Sequence, residues 1–115
     1  MKLKNSFFIT VASFTILTAS CSSEENKAEA SFKVYGNCGM CEETIEGSLD
    51  QKGIYIADWN RDTKMIDVSY DSEKYSLEDL HKLIASVGYD TELERADDEV
   101  YEDLHSCCQY ERRPM

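Results

Sequence analysis

Two stretches with a helical repeat, each stopped by a glycine, are set among four stretches with a strand repeat over Phe32–Leu93, and few folds accommodate that order. Phe32 and Val34 alternate with Lys33 and Tyr35 as a strand, which Gly36-Asn37 breaks. From Cys41 to about Gln51, the residues Cys41, Ile45, Ser48 and Leu49 share one helical face, with Glu42, Glu43, Glu46 and Asp50 off it and Gly53 at its end. Ile54–Trp59 is strand-like, Asn60–Thr63 is turn-rich, and Ile66, Val68 and Tyr70 alternate in the returning arm of a hairpin. Ser76 is the expected N-cap of a second helix, with Asp79 at the capping-box position and Leu77, Leu80, Ile84 and Val87 on one face. Gly88 stops it, and Tyr89–Leu93 alternates as a last strand.

The order βαββαβ predicts an α+β fold, a ferredoxin-like sandwich with a four-stranded antiparallel sheet and two helices on one face. This domain is assigned to residues 31–94, followed by a Cys-rich C-terminal extension over 95–115. A single domain of this size buries a modest core. With 23 acidic against 12 basic residues the chain repels phosphate, so nucleic acid is not an expected partner.

Ahead of the domain, a basic Met1–Asn5 head, an uncharged apolar run from Phe7 to Leu17 and the small residues Thr18-Ala19-Ser20 have the layout of a secretory signal peptide, assigned to 1–20. That run is too short to span a bilayer stably. Leu17–Cys21 resembles a bacterial lipoprotein signal-peptidase site, with Thr18 where the motif usually has leucine. The resemblance implies that Cys21 is acylated and becomes the mature N-terminus, placing the protein in the cell envelope on a lipid anchor, outside the cytoplasm. Residues 21–30, with no large apolar side chain, are expected to form a flexible acidic tether.

Cys38-Gly39-Met40-Cys41 falls between the first strand and the first helix. Two thiols at that spacing can face one soft metal ion, and the positive end of the helix dipole favours the thiolate that binds it. The same spacing serves a disulfide oxidoreductase, half of a zinc site or a structural disulfide, so context must choose. Thioredoxin-like enzymes resemble one another in placing a cis-proline opposite the motif, whereas the only proline here is Pro114.

Taken with Gly53-Ile54, Val68–Asp71 and Ile84–Tyr89, the strand-to-helix Cys38/Cys41 loop resembles the heavy-metal-associated domain family of copper chaperones, copper-transporting ATPase modules and mercury-binding proteins. The resemblance implies a non-catalytic protein whose Cys38 and Cys41 bind Cu(I) for chaperoning, scavenging or resistance. It also implies a partner such as a metal-transporting ATPase or another metal-handling protein. Hg(II), Zn(II) and Cd(II) are the alternative ions, and a thiol-disulfide redox protein is the alternative class. Tyr89 matches the family loop that shields the ion, and Met40, between the cysteines, is expected near the ion without binding it. The family's methionine two residues before the first cysteine is replaced by Gly36, so packing under the loop must differ.

The extension adds His105, Cys107 and Cys108. If Val100, Tyr101 and Leu104 dock it on the domain, these become further ligands; the competing expectation is a disulfide from the extension to the core or to another chain.

Overall fold

The computed structural model describes residues 26–115, so the signal segment 1–20 and the acylation expected at Cys21 lie outside the described residues. Strand β1 (Lys27–Lys33) leads through the cysteine loop to helix α1 (Gly39–Ser48), the hairpin β2 (Ile54–Trp59) and β3 (Met65–Asp71), and helix α2 (Leu77–Ser86). A short helix α3 (Asp98–Glu102) and a 3-10 turn at Ser106–Cys108 form the extension. The strands pair antiparallel in the order β1-β3-β2, with β3 in the centre.

The hairpin changes phase partway. A bulge between Ile54 and Ile56 leaves both Tyr55 and Ile56 exposed and returns Ala57 and Trp59 to the inner face. That face, with Phe32, Ile66, Val68 and Tyr70, closes over Ile45 of α1, Leu49 at its C-cap, and Leu80 and Ile84 of α2. Each such fully buried aliphatic side chain contributes about 1.5–3 kcal/mol. The capping box at α2 forms as expected: the Asp79 amide donates to Ser76 Oγ at 3.1 Å and the Ser76 amide to Asp79 Oδ2 at 2.8 Å.

Two expectations are corrected. The acidic tether does not run to residue 30, because Lys27–Ala30 pairs with Val68–Asp71 and extends β1, with Ala28 and Ala30 half-buried against the core. The sheet among the described residues has three strands instead of four. Of Tyr89–Leu93, only Thr91 forms a β-bridge, to Val34. Thr91 then turns the chain: its amide donates to the Glu94 carbonyl at 2.7 Å, and its hydroxyl accepts from the Glu94 amide at 3.0 Å. An extended strand cannot continue through that turn.

Of the three residues expected to dock the extension, Tyr101 and Leu104 pack against the core and Val100 is not among the residues that do. Gly88 ends α2 at φ +102°, and Leu104 covers it so closely that a Cβ there would lie 3.2 Å from Leu104 Cδ2. Tyr110 stacks on Tyr89, accepts from the Asp90 amide at 2.7 Å and donates to the Gly88 carbonyl at 2.8 Å. Asp90, fully buried, receives Arg112 through Nε at 3.1 Å and Nη2 at 2.8 Å, with the Ala96 amide at 2.8 Å. Burial alone would raise its pKa, but the Arg112 hydrogen bonds and the Ala96 and Arg113 amides outweigh it and hold the carboxyl below its ordinary value.

Removing Arg112 strands a buried charge, so Arg112→Met is expected to lower unfolding stability at pH 7 by about 3 kcal/mol or more, read by urea denaturation. Because the folded-state pKa of Asp90 is depressed, its contribution is complete above the unfolded value of about 3.9 and is lost as pH falls through the folded value. Asp90→Asn should therefore flatten the acid limb of the stability curve, and an unchanged limb would show that the pair does not act as described.

Candidate metal centre

Cys38 is the extended N-cap of α1, at φ −145° and ψ 175°, and its carbonyl accepts from the Glu42 amide at 3.1 Å. This geometry leaves Cys38 half-buried at the loop tip, while Cys41, in the first turn, is fully buried. Their sulfurs are 3.4 Å apart as free thiols, and Cys41 Sγ donates to Asn37 Oδ1 at 3.0 Å.

Gly36 explains how the loop packs without the family's methionine. A Cβ at Gly36 would meet Trp59 Cη2 at 2.9 Å and Cys41 Cβ at 3.3 Å. The Trp59 indole fills that space and is fixed by Nε1 donating to the Val34 carbonyl at 3.1 Å.

The docked extension brings a third sulfur. Cys108 is buried with Sγ 3.7 Å from Cys38 Sγ, and one ligand atom from each of Cys38, Cys41 and Cys108 lies within 4.8 Å of the others. With thiolate–metal bonds of about 2.3 Å, a planar three-sulfur site has sulfurs ~4.0 Å apart and a straight two-sulfur site ~4.6 Å. To become the first, the Cys38–Cys41 spacing of 3.4 Å and the Cys38–Cys108 spacing of 3.7 Å open by about 0.6 and 0.3 Å.

Electrostatics divide the three. Burial opposes ionisation of Cys38, but the amides of Cys41 and Met40 and the thiols of Cys41 and Cys108 outweigh it, lowering its pKa to about 7. Cys108 goes the other way: burial, then its contacts with Cys38, Cys107 and Cys41, push its thiol up to about 12. Tyr89 is fully buried beside Cys41 and Cys108, and burial first, then those two groups, hold its hydroxyl neutral. That places an O–H dipole next to the sulfurs.

The remaining candidates separate. His105 is exposed and outside the three-sulfur cluster. Cys107 is exposed with Sγ 3.6 Å from Met40 Sδ, and Met40 points outward, 46% exposed. Sequence reasoning missed His81, which is buried, stacks on Phe32 with ring centroids 3.9 Å apart and hydrogen-bonds Thr91 through Nδ1. It belongs to the core, and burial lowers its pKa. The Asp90–Arg112 pair was missed too; its one signal was the pair Arg112-Arg113 near the end of a predominantly acidic extension.

No curated protein matches the chain. Solved structures do. The CopZ metallochaperone is 29% identical with TM-score 0.53, covering 56% of this chain and 98% of its own. A putative copper-ion-binding protein from Bacillus anthracis str. Ames is 26% identical with TM-score 0.54, covering 57% and 96%. The N-terminal domain of a potential copper-translocating P-type ATPase from Bacillus subtilis, in its Cu(I)-loaded state, is 26% identical with TM-score 0.55, covering 64% and 95%. The family match spans residues 36–90, from the glycine under the loop to the buried aspartate that receives the extension, and over that span the chain is a heavy-metal-associated domain.

Proposed function

We propose that this protein holds Cu(I) through the thiolates of Cys38, Cys41 and Cys108, as a lipid-anchored copper-binding protein of the bacterial cell envelope rather than an enzyme. The observation that carries the reading is the third sulfur, 3.7 Å from Cys38 Sγ, delivered from outside the family domain. Soft thiolates suit Cu(I), which accepts low coordination. Structural zinc sites take four ligands, and among the described residues this cluster offers three. The likeness to the copper proteins above supports copper over the other soft ions.

A third ligand changes the use of the site. Transfer by ligand exchange needs open positions for an incoming thiol, and here Cys108, with Tyr89 and Tyr110 behind it, closes one side while Cys38 stays half-exposed. Scavenging with slow release fits this arrangement, with a metal-transporting ATPase as the eventual acceptor. The envelope location rests on the signal layout and Cys21.

Anaerobic titration of the reduced protein with Cu(I) against a chelator tests the ligand set. Cys38→Ser and Cys41→Ser are expected to weaken binding by orders of magnitude. Cys108→Ser should retain binding but release Cu(I) to the chelator faster, and unaltered release would remove Cys108 from the site. Protons compete with the metal for Cys38 below about pH 7, so affinity should fall with decreasing pH, and the plot of log affinity against pH should lose one proton of slope on rising through about 7. Some slope persists above it, because Cys108 still has a proton to give up. Cys38→Ser should lack the break.

Acylation at Cys21 is expected to hold the protein on membranes, each buried methylene contributing about 0.8 kcal/mol. Fatty-acid labelling should disappear in Cys21→Ala, and label persisting in that variant counts against the anchor.

A further inference from the structure

The adjacent cysteines of the extension point different ways: Cys108 inward to the loop thiols, Cys107 outward to Met40. A continuous row of sulfur results. From solvent inward, Met40 Sδ is 3.6 Å from Cys107 Sγ, Cys107 Sγ is 3.8 Å from Cys108 Sγ, Cys108 Sγ is 3.7 Å from Cys38 Sγ, and Cys38 Sγ is 3.4 Å from Cys41 Sγ. The first pair is not needed by the three-thiolate site. Nor does the core need it, since Met40 and Cys107 are both exposed.

We propose that Met40 and Cys107 form a second Cu(I) site, with Cys108 as the thiolate shared between the two ions; this rests on the reading of the inner site as a Cu(I) site. Donors 3.6 Å apart can both lie about 2.3 Å from one ion, at an S–metal–S angle near 100°. Cys108 Sγ, 3.8 Å from Cys107 Sγ and 3.7 Å from Cys38 Sγ, occupies the common corner of both sets. A thiolate has lone pairs enough to bond two cations at once. Charge favours the second ion. Three thiolates on one Cu(I) leave a net charge of −2, and four thiolates on two Cu(I) leave the same −2 spread over a larger group, with a cation between the repelling sulfurs. The neutral thioether of Met40 selects the ion, because it suits Cu(I) and stands outside the Cys, His and carboxylate set that zinc takes. A disulfide within the pair Cys107-Cys108 is disfavoured, since neighbouring Cα atoms about 3.8 Å apart lie below the usual disulfide range of ~4.4–6.8 Å.

Native mass spectrometry of the reduced, anaerobic chain from Cys21 onward, produced without its acyl chains and loaded with Cu(I) alone, counts ions on the monomer. The proposal expects two ions on the unaltered protein, and one on Cys107→Ser and on Met40→Leu, with the first equivalent keeping its affinity against a chelator in both variants. Because both side chains are exposed, neither change should disturb folding, which circular dichroism of the same samples checks. Saturation of the unaltered monomer at one ion overturns the second site and leaves the inner one standing, as does retention of two ions by Cys107→Ser. Absence of bound Cu(I) from the unaltered protein overturns both.

Discussion

Asp90 is a fully buried carboxylate, and much of the molecule is arranged to make that burial tolerable. Left alone, such a charge would take up a proton or open the fold. Here Arg112 meets it with two hydrogen bonds and also reaches the Ala96 carbonyl and Asp98, while the Ala96 and Arg113 amides complete its shell. All of those partners come from the extension. The carboxylate on the domain and the guanidinium on the extension are each costly without the other, so the extension is part of the fold.

The three-sulfur cluster follows from that docking. Tyr110 is seated between Tyr89, Tyr101 and the Gly88 carbonyl, and the residues just ahead of it are thereby brought over the cysteine loop. Cys108 arrives with its side chain buried, beside Cys38 and Cys41. From below, Trp59 takes the space that Gly36 leaves open and sets the height of the loop. The site is thus held between an indole and a docked extension, which is why its third sulfur is buried while its first remains accessible.

The copper proteins that resemble this chain cover 56% to 64% of it. Outside the family match lie the β1 strand that begins at Lys27 and, after the bridge and turn at Thr91, the docked extension. Both stretches are held by residues distant in the chain. Lys27–Ala30 finds β3, and Asp90–Thr91 finds the extension.

Local patterning was enough to read the two helices, the hairpin, the capping box at Ser76 and the Cys38/Cys41 loop. Each depends on residues within one turn or one strand of each other, and the spacing of apolar side chains reports which face is buried. The limit of β1 was misread because alanines at Ala28 and Ala30 carry too little apolar signal to mark a strand. The last strand was misread because Thr91 alternates correctly but uses its hydroxyl to turn the chain. The extension's apolar residues suggested docking, yet which of Cys107, Cys108 and His105 would reach the loop was not legible from their order. Sequence by itself determined the two helices, the hairpin and two of the thiols, because each is encoded within one turn or one strand. Tertiary structure alone decided the third, because the pairing of Asp90 with Arg112, 22 residues apart, sets the register of the extension over the loop, and no local pattern encodes a contact at that separation.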